Sequence, residues 1–481
     1  MIRSPLLINT AGFVAGRWAH ARSGDVLRVT NPATGEPLAD VPNMATAETA
    51  AAVEAAAEAL RTPVAAEKRR HWLAETARLL RENQQELARI ITSEQGKPLK
   101  ESVVEVEYSA GFFDFFAAQL HHLAPAPLPG RIRQMNWTVY RRPAGVVGLI
   151  TPWNFPLAML AKKLAPAMAA GCAVVTKPAD LTPLTAIALW SLLEQLDVPA
   201  GWLNLVIGRP APIGDVLCAH PAVRLISFTG STAVGKRLIQ ATAPHVKRLA
   251  LELGGNAPYV VLNDADVTAA ADALMANKFR CAGQTCVCAN RIYIQRAAEQ
   301  SFVEAISARV GRLNVGNGME PQVDIGPLIN RAAFEKVDRH VRDALERGAR
   351  RMAGGVSSMP DREWGAFYTP TILVGAHAGM LLSREETFGP VVAIETFDTD
   401  EEAVAKANGT PFGLAAYLFT RDVERAEGLA RQLRFGHVGL NTGTGPTPEA
   451  PFGGMKQSGF GREGGVEGLH EFCEVQTVVA P

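Results

Sequence analysis

Residues 145–177 read GVVGLITPWNFPLAMLAKKLAPAMAAGCAVVTK, and this stretch decides the fold. It begins with an apolar, β-branched run at Val146 to Ile150 and ends with a second such run at Ala173 to Lys177. A helical pattern over Leu157 to Ala170 lies between them. Two short strands joined by a helix predict a β-α-β unit, in which the strands are parallel and the sheet is covered on both faces.

The same alternation continues along the chain. Strand-like runs follow at Leu203 to Ile207 and at Leu225 to Thr229. Helical patterns are predicted at 46–61, 67–95, 100–116, 182–196, 213–219 and 233–241. Beyond Leu262 a second α/β unit is predicted, with a helix over Asp266 to Lys278 and a strand at Arg291 to Ile294. The sequence therefore predicts an α/β protein with a doubly wound sheet, whose ligands bind beyond the carboxyl ends of the strands.

Bulk properties exclude several classes of protein. The chain has 481 residues, which predicts two or three domains. It carries 48 basic and 48 acidic residues, so there is no electrostatic case for binding nucleic acid or an anionic membrane. The apolar run at Ala144 to Leu160 is interrupted by Pro152, Asn154 and Pro156, which argues against a membrane span.

The cysteines, the first ten residues and the histidines bear on the compartment and on metal binding. Six unevenly spaced cysteines do not form a secreted disulfide pattern, and Met1 to Thr10 lacks the apolar core of a signal peptide. The ten histidines do not fall at metal-ligand spacing. We therefore expect a cytoplasmic enzyme without a metal site.

A sulfur-bearing loop is the first candidate for chemistry. Residues 278–288 read KFRCAGQTCVC, in which Cys286 and Cys288 flank one residue. The loop alone fits either a reactive thiol or two buried thiols that pack as small hydrophobes. Glu252 lies in the apolar segment LELGGN, and Asn154 lies between two prolines in PWNFP. A nucleophile, a base and a hydrogen-bond donor together suit acyl chemistry through a thioester.

These segments resemble the aldehyde dehydrogenase superfamily, in order and over essentially the whole chain. The resemblance also rests on FTGS at 228–231, ETFGP at 386–390 and PFGG at 451–454. CVCANR after GQT is most similar to the succinate-semialdehyde dehydrogenase branch. A non-catalytic family member is the competing hypothesis, and the presence of Cys286, Glu252 and Asn154 speaks against it.

The resemblance implies a role for each catalytic candidate. Cys286 would attack the aldehyde carbon, and the Asn154 amide with the Cys286 backbone N–H would hold the oxyanion. Glu252 would activate the water that hydrolyses the thioester, and its apolar flanks predict burial and a raised pKa. Glu463 matches a second carboxylate that relays protons in family members.

The cofactor implied by the resemblance is NAD, with NADP left open. Gly230 and Ser231 follow a predicted strand and open a helix whose free N–H groups attract a phosphate, although an ordinary serine cap has the same sequence. Asp180 favours NAD because a carboxylate repels a 2′-phosphate, but aspartate is shorter than the usual glutamate. The implied cofactor-binding residues are Trp153, Lys177, Asp180, Gly230, Ser231, Glu386 and Phe388.

Recognition of the substrate departs from the pattern of the branch, which holds a carboxylate with two arginines and a serine. Arg280 keeps one arginine, Lys162 replaces the other, and Thr447 supplies the hydroxyl. These residues favour an aldehyde with a distal carboxylate, such as succinate semialdehyde. A longer semialdehyde and an unrelated aliphatic or aromatic aldehyde remain alternatives. A regulatory Cys286–Cys288 disulfide is a further hypothesis, against simple packing of Cys288.

The predicted domains are a dinucleotide-binding domain (1–120 and 144–254), a catalytic domain (255–457) and an oligomerisation arm (121–143 and 465–481). Arg131 to Arg142 and Glu474 to Val479 are strand-like, and we expect both to lack a sheet within the chain. Such strands invite pairing with another subunit, which predicts a homodimer or homotetramer. The resemblance also implies an ion pair between Arg462 and Glu474 near that interface.

Overall fold

A computed structural model describes residues 2–130, 132–355 and 364–481. Its fifteen described α-helices include four long ones near the amino terminus and alternate with strands thereafter. They are α1 (Thr46–Ala59), α2 (Ala66–Glu82), α3 (Gln84–Gln95), α4 (Leu99–Gln119), α5 (Ala158–Ala170), α6 (Leu184–Leu193), α7 (Pro210–Ala219), α8 (Thr232–Thr242), α9 (Val267–Lys278), α10 (Glu299–Val310), α11 (Arg331–Glu346), α12 (Leu381–Arg384), α13 (Asp400–Asn408), α14 (Val423–Ala430) and α15 (Gly465–Glu471).

The strands form four sheets, of eight, seven, three and two strands. They are β1 (Gly12–Val14), β2 (Arg17–Ala19), β3 (Val26–Thr30), β4 (Pro37–Pro42), β5 (Ala126–Pro127), β6 (Asn136–Pro143), β7 (Val146–Ile150), β8 (Ala173–Lys177), β9 (Leu203–Leu205), β10 (Val223–Thr229), β11 (Arg248–Glu252), β12 (Ala257–Val261), β13 (Ala289–Gln295), β14 (Arg350–Ala353), β15 (Thr371–Val374), β16 (Val391–Phe397), β17 (Ala415–Phe419), β18 (His437–Leu440), β19 (Gly459–Phe460) and β20 (Cys473–Ala480).

The eight-stranded sheet contains the predicted β-α-β unit. Its order is β19-β11-β10-β7-β8-β9-β1-β2, and the five strands from β11 to β9 are parallel. β7 and β8 pair in register from Val146 opposite Ala173 to Ile150 opposite Lys177. The doubly wound α/β unit predicted from residues 145–177 is confirmed, and the carboxyl ends of its strands meet at one edge of the sheet.

Helix α5 joins these two strands and is buried over its whole length. It packs against α2, α4 and α15 as well as against β7 and β8. Lys162 and Lys163 therefore lie in an apolar interior, where a cation needs an anionic partner.

The seven-stranded sheet is the second predicted α/β unit. Its order is β14-β15-β16-β13-β12-β17-β18, and all pairs except β14 with β15 are parallel. The fold class is therefore confirmed as α/β with two wound sheets.

The prediction that the two arm segments lack a sheet within the chain is wrong. β20 pairs antiparallel with β6 over its whole length, from Cys473 opposite Pro143 to Ala480 opposite Asn136, and β5 adds a third strand. Arg131 lies outside the described residues. The two segments were 330 residues apart in sequence, and only the fold brings them together.

Two smaller predictions are also corrected. The helical pattern at 67–95 is two helices, α2 and α3, because the chain leaves helical geometry at Asn83, whose amide Nδ2 donates to Leu79 O at 2.9 Å. Glu474 lies 3.6 Å from Arg248, whereas the Arg462 guanidinium donates to the carbonyls of Gly454 and Gly461.

In the part of the chain that the structure describes, no helix combines the length and the apolar character needed to cross a membrane.

Candidate active site

Four of the predicted site residues come together because parallel strands end at one edge of the sheet. β7 leads into the turn that carries Asn154, β10 leads into Gly230 and Ser231, and β11 ends at Glu252. Thr229 lies directly opposite Glu252 in the pairing of β10 with β11. The sheet thus gathers residues that are about 100 positions apart in sequence.

The cysteine loop reaches this edge from the second α/β unit. It follows α9, and the backbone turns through three successive left-handed residues: Cys281 (φ 53°), Ala282 (φ 54°) and Gly283 (φ 74°). A Cβ on Gly283 would lie 2.2 Å from Gly389 O, so only glycine allows this close approach. The turn fixes the path of the loop and brings Cys286 to the strand ends.

Cys286 lies where two cavities meet. A cavity of about 250 Å³ is lined by residues that include Trp153, Asn154, Gly230, Ser231, Glu386 and Phe388. A larger cavity of about 500 Å³ is lined by residues that include Tyr108, Lys162, Arg280, Thr444 and Phe452. Cys286 lines both. A reactive thiol in this position can meet one ligand from each side.

The Cys286 thiol is neutral in the resting protein. Burial raises its pKa to about 12, and the nearby Lys162 cation opposes that effect. Formation of the thiolate therefore needs a base or a change in the local field.

Two carboxyl groups near the strand ends have opposite electrostatic character. Burial, and then the charge of Glu463, raise the pKa of Glu252 well above its usual value. Within the described residues, neither carboxylate oxygen of Glu252 has a hydrogen-bond partner. Burial also opposes ionisation of Glu463, but Lys163 at 2.5 Å and Lys162 at 3.7 Å outweigh it and lower its pKa. Two neighbouring carboxyl groups whose pKa values are shifted in opposite directions suit proton transfer.

Asn154 is buried and is held from two directions. Its side-chain Nδ2 donates to Gln284 O at 2.9 Å, and its backbone carbonyl accepts from Lys97 Nζ at 2.7 Å. A carboxamide has two N–H groups, so one of them remains for a ligand in the smaller cavity, which Asn154 lines.

The smaller cavity has partners for part of a dinucleotide. Helix α8 begins beside it at Ser231, whose Oγ accepts from Val234 N at 3.3 Å. The other N–H groups of this first turn are available to an anion. Burial raises the pKa of Glu386 to about 7, and its Oε1 accepts from Gly255 N at 3.3 Å. A carboxylate and an anion-binding helix start supply partners for a ribose and a phosphate.

The remaining residues predicted to bind the cofactor are two aromatic residues in the lining of the smaller cavity and two residues farther away. The rings of Trp153 and Phe388 meet edge to face at 5.7 Å. Lys177 and Asp180 lie at and just beyond the end of β8, outside the lining of the cavity. Burial lowers the pKa of Lys177, and Asp180 partly offsets this.

The larger cavity has one buried and one exposed cation from the predicted set. Lys162 is buried between Glu463 and the ring of Phe452, whose centroid lies 5.1 Å from its Nζ. Arg280 is exposed and stacks on Phe155 at 5.2 Å. Within the described residues, no hydrogen bond or ion pair involves its guanidinium. The predicted Thr447 does not line the cavity, whereas Thr444 does.

Cys288 packs behind the loop. It is 1% exposed, its Sγ donates to Gly283 O at 3.2 Å, and Lys278 Nζ lies 3.7 Å from the sulfur. Both Cys286 and Cys288 are free thiols.

Several site residues were missed from the sequence. Lys163 pairs with Glu463, and two adjacent lysines in an apolar helical pattern were a signal for buried cations. No local signal distinguishes other missed lining residues, which include Tyr108, Met159, Ala333, Lys336 and Thr444. Across the described residues, no group of three or more His, Cys, Asp or Glu side chains is placed to hold a metal ion.

A thiol between a cavity with partners for a ribose and a phosphate and a second cavity is the arrangement expected of a cysteine-dependent oxidoreductase. The model of the aldehyde dehydrogenase family matches residues 18–478. The chain therefore belongs to the aldehyde dehydrogenase family, and the resemblance inferred from the motifs is confirmed. Members of this family use NAD(P) to oxidise aldehydes to carboxylic acids.

Individual relatives are similar to this protein over nearly the full length of the chain. The crystal structure of an oxidoreductase from Marinobacter aquaeolei is 52% identical, has a TM-score of 0.97 and covers 100% of both chains. The mitochondrial succinate-semialdehyde dehydrogenase of Arabidopsis thaliana is 45% identical over 479 residues, which are 99% of this chain and 90% of the relative. The glutarate-semialdehyde dehydrogenase of Pseudomonas aeruginosa is 42% identical over 477 residues, which are 99% and 98% of the two chains.

Proposed function

We propose that this enzyme oxidises a semialdehyde that carries a distal carboxylate, with succinate semialdehyde as the first candidate and NAD as the preferred cofactor. The observation that carries the proposal is the position of Cys286 at the junction of two cavities. One has partners for a ribose and a phosphate, and the other has at its exposed side Arg280, a cation without an ion-pair partner among the described residues.

The chain's own residues would divide the chemistry as follows. Cys286 would give its proton to water in the cavity, with the Lys162 cation favouring the thiolate, and its sulfur would form a bond to the aldehyde carbon. The free N–H of Asn154 and the backbone N–H of Cys286 stabilise the oxyanion that results. The bound nicotinamide supplies the acceptor for the hydride that leaves this carbon. What remains is a thioester on Cys286.

The carboxyl groups of Glu252 and Glu463 would assist hydrolysis of the thioester. Glu252 in its ionised form removes a proton from water, whose oxygen attacks the thioester carbon and releases the acid and the Cys286 thiolate. Glu463, held by Lys163 at 2.5 Å, stays ionised beside it and offers a path for the proton. The raised pKa of Glu252 makes it a stronger base than an ordinary carboxylate.

The distal carboxylate would be held mainly by Arg280. Its guanidinium is free of protein partners among the described residues and presents a planar fork to a carboxylate. Lys162 adds a positive charge deeper in the cavity, and the nearby carboxylate of Glu463 partly neutralises that charge. The named substrates of the two relatives are semialdehydes with four and five carbons, and both lengths belong in the assay.

For the cofactor, we propose that Gly230 and Ser231 bind the phosphates, Glu386 binds the nicotinamide ribose and Asp180 the adenosine ribose, with Lys177 beside it. Trp153 and Phe388 would bound the nicotinamide side of the cavity. A carboxylate at Asp180 disfavours a 2′-phosphate, which supports NAD over NADP.

We propose in addition a homodimer or homotetramer in the cytoplasm. The three-stranded sheet leaves Val475, Val478 and Val479 exposed, which supports a role in subunit contact. Six free cysteines support a reducing compartment. The domain limits 1–120 with 144–254, 255–457, and 121–143 with 465–481 remain part of this proposal.

The experiment that tests the function measures reduced cofactor by absorbance with NAD and with NADP. The substrates are succinate semialdehyde, glutarate semialdehyde, and butanal as an aldehyde of similar size without the anion. We expect kcat/KM to be at least about 100-fold higher for a semialdehyde than for butanal. Cys286→Ala should abolish turnover and retain cofactor binding. Near-normal turnover by that variant, or equal rates with butanal, would refute the proposal.

A further inference from the structure

The turn between α3 and α4 and the start of α4 adjoin the active site: Lys100, Glu101, Val104 and Glu105 line the larger cavity, and the segment contacts both loops of the site. We refer to residues 95–105 as the α3–α4 corner. Gln95, Lys97 and Glu105 in this corner are almost completely buried. None of them belongs to a motif that identified the site, and none supplies a group to the chemistry described above.

Lys97 and Glu105 form an ion pair in which both side chains are fully buried. Lys97 Nζ lies 2.6 Å from Glu105 Oε2 and donates to the Asn154 carbonyl at 2.7 Å. Glu105 Oε1 accepts from the backbone N–H groups of Leu157 and Ala158, at 2.9 and 3.2 Å. The pair therefore holds the asparagine turn at two places, Asn154 itself and the start of α5.

The same corner also holds the cysteine loop. Gln95 Nε2 donates to Cys281 Sγ at 3.2 Å, and Cys281 N donates to Glu101 Oε2 at 2.8 Å. Asn154 Nδ2 then bridges the two loops through Gln284 O. The two groups that stabilise an oxyanion, one from each loop, are thus placed from a single element.

Stability alone does not account for such a pair. Desolvation of two buried charges offsets most of their attraction, and well-packed neutral groups are often as stable. What charged groups add is directional hydrogen bonding at fixed positions. Among the described residues, the side-chain hydrogen bonds of the pair beyond its own ion pair go to the backbone of residues 154–158, and the Phe155 ring lies 3.6 Å from Lys97 Nζ.

We propose that Lys97 and Glu105 are positioning residues for catalysis, which act by fixing the Asn154 amide in the geometry that the oxyanion requires. This inference rests on the proposed function, because it assumes that Asn154 stabilises the oxyanion. An error of about 1 Å in such a position costs up to about 100-fold in rate.

The test is a double-mutant cycle between the pair and Asn154. Lys97→Met with Glu105→Gln replaces the charges with neutral side chains of similar length, so that no charge is left unpaired. We expect kcat with the semialdehyde to fall about 10- to 100-fold. Asn154→Ala alone should lower kcat about 100- to 1,000-fold. In the Asn154→Ala background the paired substitution should cost no more than about a further twofold.

A purely structural pair would give a different result. Equal losses in both backgrounds, or an unchanged kcat for the paired variant in the native background, would overturn the inference alone. An unchanged kcat in Asn154→Ala would refute the role of Asn154 and, with it, this inference. If the paired variant does not fold, Glu105→Gln carries the same cycle: its amide oxygen can still accept from Leu157 and Ala158, but Lys97 loses its ionic partner, so the deciding result is a loss of kcat in the native background that is absent in Asn154→Ala.

Glu94 provides a matched control at the end of α3. It is also buried, and it accepts from the N–H groups of Leu184 and Thr185 at 2.7 and 2.8 Å, at the start of α6. Burial raises its pKa to about 8, so an amide closely resembles its neutral form. Glu94→Gln should leave kcat within about twofold of the parent. A loss as large as that of Glu105→Gln would show that any buried carboxyl group in this region matters, and would overturn the inference.

Discussion

The two cavities that meet at Cys286 are built in different ways. The smaller one is lined mainly by short segments that follow strands, such as Trp153, Gly230 and Ser231, and by the 386–388 motif. The larger one is lined by side chains from α4, α5 and three separate loops. Strand ends place backbone groups in positions that the fold determines, whereas a cavity between side chains depends on which residue occupies each position. The cofactor side is therefore a property of the fold, and the substrate side is a property of the individual sequence.

This difference separates the expected effects of substitutions. A change in a group that serves the chemistry at the junction should affect every substrate. A change in the larger cavity should affect only the substrate that uses the altered group. The three variants below test that separation.

Glu252→Gln should have the largest effect. Gln cannot remove a proton from water, so we expect kcat to fall about 100- to 10,000-fold for every aldehyde. The thioester forms without this base, so reduced cofactor should appear in a rapid burst that is followed by slow turnover. Stopped-flow absorbance at millisecond resolution measures both phases.

The pH dependence gives a second readout of the same residue. The pKa of Glu252 is raised, so activity of the parent enzyme should increase as the pH rises through that pKa and the carboxylate forms. This rising limb should disappear in Glu252→Gln. Uniform slowing without a burst, together with an unchanged pH profile, would argue against the base role.

Arg280→Met should have an intermediate effect that is confined to anionic substrates. Loss of a charge-assisted hydrogen bond should raise KM for the semialdehyde about 10- to 100-fold, with little change in kcat. KM for butanal should stay the same, because butanal has no carboxylate to bind. Steady-state kinetics with both aldehydes measure the difference.

Lys100 is the matched control for this position. It also lines the larger cavity, but its Nζ already pairs with Asp324 at 2.6 Å. Lys100→Met should therefore change KM for the semialdehyde much less than Arg280→Met does. If both variants shift KM equally, the general positive charge of the entrance matters and a specific contact by Arg280 does not.

The contrast between the cavities also explains what the sequence could predict. The parallel strands β7 and β8 were predicted with their observed bounds, since each is a short apolar run between turn residues. The burial of Glu252 followed from its apolar neighbours. The positions of strand ends and short motifs follow from the nearby sequence. Most residues of the smaller cavity could therefore be predicted from the sequence.

Other features depend on contacts between distant parts of the chain. The pairing of β6 with β20 joins segments that lie more than 300 residues apart, and neither segment indicates the other. Helix α5 is buried on all sides because α2, α4, α15 and the strands β7 and β8 pack around it, which a single helical pattern does not show. Thr447 was predicted to supply the hydroxyl, but Thr444 lines the cavity instead, because a proline-rich loop gives no information about which hydroxyl faces the cavity.

The smallest effect on activity is expected for Cys288→Ala. Cys288 lies on the side of the loop away from both cavities and its thiol donates to Gly283 O, so kcat should stay within about twofold of the parent. Its effect should appear after oxidation. We propose that peroxide converts the Cys286 thiolate to a sulfenic acid, and that the Cys288 thiol then displaces water from it to form a disulfide. Dithiothreitol reduces that bond and restores the parent enzyme, whereas Cys288→Ala should be oxidised further and regain little activity.

Since Cys288 is buried, the loop must open for the bond to form, and formation should be slower than the initial oxidation. Activity after peroxide, with and without dithiothreitol, decides between the two roles. Full recovery of the alanine variant would leave Cys288 with a packing role only.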